Sequence, residues 1–503
     1  MPPLRILPSD LAHPLHGIGA TRAIEQRAQA GLAPHTLMQR AGHATARLAL
    51  ALAPHAGRVW IAAGPGNNGG DGLAAALHLA QAGKAVRVTL IADASRLPAD
   101  AGQALSRARS AGVDIGTELP GAGFGGPDDL AIDALLGIGA SRAPGGVLAA
   151  AIEPLNRCRG IVLAIDLPTG LHAGTGQPLG TPVVRATHTL ALLTLKPGLY
   201  TGAGRDLAGE VWFDALGVAV DDTSVDETPD AWLAGAPPLA RRDHALHKGS
   251  FGDVAIVGGD TGMVGAALLA ARAAHAAGAG RVYVQALGTA PPGLDPLHPE
   301  LMFRPGLLAD PAHAAGLASI VCGCGGGTAV RAVLPAVLAS AARLVLDADA
   351  LNAIASDAAL QAQLTARRAR GRATVLTPHP LEAARLLGAS TREVQADRLA
   401  AAQRLAGRYQ CTVLLKGSGS IVAAPGRVPS INPTGNAALA TAGTGDVLAG
   451  WLGGCWAALP QDAGFEAATQ AAWGHGAAAP SAPRGPLRAS DLIEAMAVGR
   501  QPR

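Results

Sequence analysis

Short apolar runs that stop abruptly at polar or glycine-rich clusters recur along this chain, and they constrain its fold more than any other feature. Arg58-Val-Trp-Ile-Ala-Ala63 ends at Gly64-Pro-Gly-Asn-Asn-Gly-Gly-Asp-Gly72. Leu130–Leu135 carries Asp133, and Gly160–Ile165 runs into Asp166-Leu-Pro-Thr-Gly170. Later, Arg343–Leu346 precedes Asp347-Ala-Asp-Ala-Leu-Asn352, and Ala373–Leu376 precedes Thr377-Pro-His-Pro-Leu-Glu382. Cys411–Leu415 precedes Lys416-Gly-Ser-Gly-Ser420. Runs of this length, separated by helix-length stretches, read as buried strands of parallel sheets. Open α/β sheets place their ligands beyond the carboxyl ends of such strands. Each cluster alone also fits an ordinary turn; their recurrence points to sites.

With 503 residues, more than one domain is expected. Residues 17–52 read as helical. Arg58–Ala63, a helix over 72–82 and Val86–Ile91 then form a βαβ unit. Asp221–Asp230 is acidic and without apolar periodicity, and Gly235-Ala-Pro-Pro238 and Arg241-Arg242 follow. Strand-like segments restart at Asp253–Val257, with a helix over 263–277 and a strand over Arg281–Gln285. The expected domains are 1–225 and 246–503, joined by a linker over 226–245.

Composition removes several function classes. Charge is nearly balanced, 40 Lys+Arg against 37 Asp+Glu, with no basic stripe interleaved with aromatics, so nucleic acid is not expected as a partner. The N-terminus lacks a signal-peptide core. The apolar stretch 437–459 holds Asp446, threonines and glycines that a membrane span tolerates poorly. The five cysteines are scattered, which fits a reducing cytoplasm. Cys322-Gly-Cys324 lacks a second pair at zinc-site spacing. Aromatics make up 3% of residues; the abundant alanine reads as compositional drift.

The strongest chemical signal is Thr441-Ala-Gly-Thr-Gly-Asp-Val-Leu-Ala-Gly450. A glycine-rich turn leads into an apolar helix, presenting free amides to an anion. Asp446 beside them is placed to take a proton from an attacking hydroxyl. The same residues fit a plain helix start with an Asp cap. In the first half, Gly64, Gly66 and Gly69 match G-x-G-x-x-G between a strand and a helix, with Asp93 in position to mimic a ribose-binding acid. A tight glycine-rich turn without a ligand is the other reading. In a parallel sheet Asp133 and Asp166 face the edge that carries Asn67–Asp71. Asn68, Asp133 and Thr169 then offer oxygens to a hard cation, leaving Asp166 for acid/base work.

The order and spacing of these motifs resemble the bifunctional NAD(P)H-hydrate repair enzymes, over almost the whole chain. The resemblance rests on Asn67–Gly72, Asp133–Gly139, Asp166–Gly170, His247-Lys-Gly-Ser-Phe-Gly252, Asp347–Asn352, Thr377–Pro380, Lys416-Gly and Ala440–Asp446. It implies an N-terminal Rossmann-like α/β/α sandwich that epimerises R and S hydrates of NADH or NADPH. It implies a following ribokinase-like α/β domain that dehydrates the S form at the expense of ADP or ATP. Asn67, Asn68, Gly69, Gly70, Asp71, Asp166 and the loop Gly137, Ile138, Gly139, Ala140, Ser141, Arg142 and Ala143 are then expected to hold the hydrate. Asn68, Asp133 and Thr169 are expected to bind K⁺, with Asp166 catalytic. In the second domain the resemblance makes Asp446 the base. Ala266, Gly325, His379 and Asp446 contact the hydrate, and Lys416, Gly417, Ser418, Gly419, Ser420 and Gly445 contact the nucleotide. Related sugar kinases carry Asn-x-x-Glu near a Mg²⁺-bound water; His379 and Glu382 stand there, so Mg²⁺ is expected to be held indirectly. Association into a homo-oligomer is also implied.

Five positions depart from the family pattern: Val264, Cys324, Gly326, Leu381 and Ala442. Other readings remain: a hydroxymethyl-pyrimidine or sugar kinase fused to a noncatalytic nucleotide-binding domain, and a nicotinamide-dependent dehydrogenase.

Overall fold

The computed structural model describes residues 2–8, 11–121, 123–219, 228–238, 243–309, 314, 316–480 and 485–499. Tertiary contacts divide the chain into one unit of Met1–Leu7 and His13–Trp232 and another of Pro8–Ala12 and Leu233–Arg503. Much of the acidic stretch read as part of the connection, 220–227, lies outside the described residues, as do 239–242. Between them, Ala231–Leu233 form a short strand with Ala231 and Leu233 buried.

The first unit is one sheet of eight strands. They are β1 (Leu4–Arg5), β2 (Arg58–Ala63), β3 (Val86–Leu90), β4 (Asp114–Gly116), β5 (Asp129–Ala134), β6 (Ile161–Ile165), β7 (His188–Leu192) and β8 (Glu210–Asp214). The spatial order is β1-β8-β7-β6-β5-β2-β3-β4, parallel throughout except for β1 against β8. The order reverses at β2, which has β3 on one side and β5 on the other. Chains leaving neighbouring strands there diverge to opposite faces and open a crevice. Helices α1 (Ile18–Ala30), α2 (Thr36–Leu52) and α3 (Asn67–Gln81) pack around it, and α4 (Ala99–Ser110) and α5 (Gly146–Arg157) follow in sequence.

Helix α3 starts earlier than its apolar periodicity predicts. Asn67-Asn-Gly-Gly-Asp71 is its first turn, not part of the loop before it. Glycine disfavours helix by about 1 kcal/mol per residue, but here close approach overrides propensity. A Cβ on Gly69 would stand 2.0 Å from the Gly64 carbonyl, and one on Gly72 would stand 2.5 Å from the Ala134 Cβ.

The second unit repeats the architecture with β9 (Asp253–Gly258), β10 (Arg281–Ala286), β11 (Met302–Phe303), β12 (Ser319–Cys322), β13 (Arg343–Leu346), β14 (Ala373–Leu376), β15 (Thr412–Leu415), β16 (Ile421–Ala423) and β17 (Ser430–Ile431). They lie in the order β11-β10-β9-β12-β13-β14-β15-β16-β17. The first seven in that order are parallel; β16 and β17 return antiparallel. Apart from the edge strand β11 and residues at strand ends, their side chains are buried, as strands covered on both faces require.

Helix α6 (Val264–Ala276) and helix α9 (Thr444–Ala457) press together over the sheet. A Cβ on Gly450 would stand 2.0 Å from the Ala270 carbonyl, and one on Gly454 would stand 2.4 Å from the Ala274 carbonyl. The alanine read as compositional drift is here a packing requirement, because larger side chains would force the helices apart. Between α6 and α9 in sequence run α7 (Pro380–Leu387) and α8 (Arg398–Tyr409), and α10 (Gly464–Ala477) follows α9. Among the described residues no helix is long and apolar enough to cross a membrane.

Candidate functional sites

In the first unit a cavity of about 1010 Å³ opens where the strand order reverses. Its walls include Asn67, Asn68 and Asp71 from α3, the whole loop Gly137–Ala143 beyond β5, and Asp166 beyond β6. Every residue expected to hold the hydrate in this half therefore lines one space, except Gly69 and Gly70, which are buried behind it. Helix α3 has an extended N-cap, Gly66, whose missing side chain leaves the first amides uncapped toward that space.

Asp166 occupies a strained position. Its φ is 68°, a left-handed conformation that costs a non-glycine residue about 1–3 kcal/mol. Three contacts hold it there: its amide donates to the Leu190 carbonyl at 2.8 Å, Lys196 Nζ donates to Oδ1, and the Leu192 amide reaches Oδ1 at 3.4 Å. Lys196 is itself fully buried and donates to the carbonyls of Leu192 at 2.7 Å and Thr194 at 2.9 Å. A buried ammonium so satisfied is a fixed positive charge against the carboxylate. Sequence reading does not single out Lys196. A signal is there all the same: a lysine followed by Pro197-Gly198, just past a strand-like run. Asp71 shares the cavity, and burial, reinforced by Asp166, holds its carboxyl well above the usual range. Glu25 on α1 is raised for the same reason.

Behind this wall, Asp133 is buried and accepts from the Thr169 amide at 2.8 Å, the Thr169 hydroxyl at 2.7 Å and the Leu135 amide at 3.2 Å. Burial nevertheless pushes its pKa up to about 6. Asn68 is buried with neither side-chain atom hydrogen-bonded. An orphaned buried amide costs about 1–3 kcal/mol, so its oxygen fits a ligand-binding role. Asp133 and Thr169, hydrogen-bonded to each other, offer oxygens of the kind a hard cation takes. Asp93 does not join the site: it is exposed, accepts from the Ser95 amide at 3.0 Å, and caps the turn after β3. That local hydrogen bond satisfies the carboxylate.

In the second unit the clusters beyond β12, β13, β14 and β15 meet the N-terminus of α9. Gly443, with φ 88°, is the N-cap and offers no side chain, so the amides of the first turn are uncapped. Asp446 projects from that turn. Lys416 Nζ, beyond β15, donates to Asp347 Oδ1 at 2.6 Å, and Thr377 adds a second donor at 2.7 Å. A Cβ on Gly445 would lie 3.4 Å from Lys416 Nζ, which places the ammonium against the first turn of the helix. Burial and the nearby Asp347 charge push Asp446 up to about 6. Burial alone would lower Lys416; Asp347 and Glu382 outweigh it and raise the ammonium above its usual value. A protonated lysine thus faces a carboxylate poised to titrate.

The remaining expected residues gather around this centre. A Cβ on Gly325 would stand 2.8 Å from the Ala266 Cβ, so these two adjoin. The loop from Lys416 to Ser420 is closed by the Ser420 hydroxyl, which accepts from the Gly417 amide at 3.3 Å. Arg398 on α8 braces it through the Lys416 carbonyl at 3.2 Å. His379 caps α7: its Nδ1 accepts from the amides of Leu381 at 3.1 Å and Glu382 at 3.3 Å, leaving Nε2 beside Glu382 Oε1 at 3.3 Å. Glu382 Oε2 accepts from the His379 amide at 2.8 Å. With both oxygens engaged, Glu382 fits a metal-bound water better than direct coordination. Cys324, read only as a departure in a turn, lies in the centre: its Sγ and oxygens of Asp347 and Asp446 are all within 4.8 Å of one another.

Known proteins match along the same division. A family model described as "NAD(P)H-hydrate dehydratase" matches residues 254–497, and one described as "YjeF-related protein N-terminus" matches residues 34–198. The bifunctional NAD(P)H-hydrate repair enzyme of Escherichia coli K12 is 37% identical over 470 residues, covering 89% of this chain and 85% of that protein. That of Coxiella burnetii is 36% identical over 452 residues, covering 86% and 88%. Among solved structures, the ADP/ATP-dependent NAD(P)H-hydrate dehydratase of Bacillus subtilis, co-crystallised with ATP and Mg²⁺, is 28% identical with a TM-score of 0.42, covering 52% of this chain and 93% of that one.

Proposed function

The chain belongs to the family of bifunctional NAD(P)H-hydrate repair enzymes, and from that premise we propose which residues carry its two reactions. It epimerises the R and S hydrates of NADH or NADPH and dehydrates the S hydrate at the expense of ADP or ATP. The epimerase domain is 1–225 and the dehydratase domain 246–503, with 226–245 between them.

The cavity in the first unit holds the hydrate. The uncapped amides of α3 face its phosphates, and Gly137–Ala143 wall the nicotinamide end. In the hydrate, C6 carries both a hydroxyl and the ring nitrogen, so the C–O bond breaks with help from the nitrogen lone pair. Water then returns on either face. Asp166, pinned by Lys196, moves the proton in both directions. Asn68, Asp133 and Thr169 would hold K⁺, whose charge would favour ionised Asp133 and brace the Asp166 turn through Thr169.

In the second unit Asp446 accepts the C6 hydroxyl proton as that oxygen attacks the terminal phosphoryl group of ADP or ATP, and the P–O bond to the rest of the nucleotide breaks to release AMP or ADP. The uncapped amides of Thr444, Gly445 and Asp446, with Lys416, face the charge that develops on the phosphoryl oxygens. Phosphate then leaves C6 and a proton leaves C5, which restores the ring double bond. Ala266, Gly325 and His379 surround the hydrate; Lys416–Ser420 and Gly445 surround the nucleotide. Mg²⁺ would neutralise charge on the phosphates, and Glu382 would hold it through a bound water. The five free cysteines suit a reducing cytoplasm, and a homo-oligomer is proposed on family grounds alone.

The observation that carries this reading is a carboxylate poised to titrate near neutrality at an uncapped helix N-terminus, opposite a lysine. The test is recovery of NADH absorbance from a mixed R/S hydrate with ADP and Mg²⁺. Full recovery supports both activities, once spontaneous epimerisation is subtracted. Recovery of the S fraction alone leaves the first unit a binding module. No recovery overturns the repair assignment and favours a small-molecule kinase.

A further inference from the structure

The turn Gly323-Cys324-Gly325 is fixed from several sides. Gly323 and Gly325 have φ of 119° and 57°. A Cβ on Gly323 would stand 2.1 Å from the Asp347 carbonyl, and one on Gly258 would stand 2.2 Å from the Cys324 carbonyl. The Gly259 amide donates to the Cys324 carbonyl at 3.0 Å, and the Asp260 amide donates to that of Gly325 at 2.7 Å. The Cys324 side chain is completely buried, and its Sγ lies within 4.8 Å of carboxylate oxygens of both Asp446 and Asp347.

We propose that the Cys324 thiol is a positioning residue for dehydration, donating its hydrogen to the Asp446 carboxylate so that the base stays ionised and aimed at the hydrate. Burial and the neighbouring carboxylates Asp446 and Asp347 hold the thiol well above its usual range, so it remains a neutral donor wherever the enzyme works. The other charged or titratable groups around Asp446 are Asp347 and Asp349 beyond β13, and Lys416 beyond β15. His475 on α10 contacts the same helix turn at the Thr444 carbonyl, 2.9 Å away, and burial lowers it to about 4, so it is neutral. Asp347 and Asp349 raise Asp446, while Lys416 and the thiol lower it. Lys416 is tied to Asp347, which leaves the thiol as the neutral hydrogen-bond donor to the base. This makes the departure from the family turn at Cys324 a functional one.

The inference rests on Asp446 being the base, and the experiment separates the two. Initial rates of (S)-hydrate dehydration, with ADP and Mg²⁺ saturating, are measured against pH for the wild-type chain, Cys324→Ser, Cys324→Ala and Asp446→Asn. Cys324→Ser keeps a donor of similar size; Cys324→Ala removes it. The acid limb of Cys324→Ala is expected to move up by about half a pH unit, with Cys324→Ser restoring it to the wild-type position or below. A Cys324→Ala limb superimposed on wild type, or equal upward shifts for both variants, would overturn the role of the thiol. Full activity in Asp446→Asn would instead overturn the base. If Cys324→Ala melts too low to assay, the Cys324→Ser limb decides: an upward shift counts against the thiol, a wild-type or lower position for it.

Discussion

Two glycine-rich helix N-termini front the two proposed centres of this chain, and Gly69 and Gly445 within them are glycine for different reasons. At the start of α3, a Cβ on Gly64 would stand 1.8 Å from the Leu135 carbonyl and one on Gly69 would stand 2.0 Å from that of Gly64. Glycine is needed there because the protein's own backbone occupies the space. At the start of α9, a Cβ on Gly445 meets Lys416 Nζ at 3.4 Å and Asp347 Oδ2 at 3.9 Å, both tolerable contacts. Glycine there keeps room for something outside the chain. Gly69 thus reports packing, and Gly445 leaves room beside Lys416.

A second contrast follows. Both units end a strand with an aspartate bonded to a lysine, Asp166 with Lys196 and Asp347 with Lys416. In the first, the paired aspartate itself faces the cavity. In the second, the paired aspartate is buried, and its charge acts on Asp446, adding to the burial that raises that carboxylate.

These contrasts can be broken at four points. Asp446→Asn should lower dehydration by about 10²–10⁴-fold and leave R/S interconversion, followed by chromatography, unchanged. In the wild type, dehydration should fall as pH drops through about 6, because a base with that pKa is ionised above it and protonated below. Loss of both activities in Asp446→Asn would contradict the division of labour. Gly69→Ala should cost about 3 kcal/mol of unfolding free energy, read by chemical denaturation of the first unit, since the backbone must move. Gly445→Ala should leave the melting temperature within a degree or so while raising the KM for ADP about tenfold. A large drop in its melting temperature would erase the distinction between the two helix starts.

The smallest effect concerns Asn68. Replacing tetramethylammonium by K⁺ should raise the melting temperature of the first unit by about 2 °C, and Asn68→Ala should abolish the rise. The sign with pH follows from Asp133. Its folded pKa lies above the unfolded one, so the ionised group is a burden that K⁺ relieves. The K⁺ effect should therefore be present above about pH 6 and fade below it.

Much of this is legible in the sequence. Strands β2, β13 and β14 span the residues that their apolar runs mark, and the clusters after them face the two centres. Local chemistry suffices there: β-branched and aliphatic runs end where polar residues begin. The start of α3 is not legible, because glycine and asparagine disfavour helix locally, and only contacts with Gly64 and Ala134 reverse that preference. Lys196 and Cys324 are hidden for another reason: each acts on a partner far along the chain, across 30 residues for Lys196 and Asp166.

By itself, the order of residues determined two successive α/β units and the strand ends at which chemistry gathers, because burial period and turn chemistry are local properties. The tertiary structure alone decided which carboxylates titrate near neutrality, which lysine pins which aspartate, and which glycine makes room for a ligand. Those depend on desolvation and on atoms a few ångströms apart that the chain brings together only after the sheets have formed.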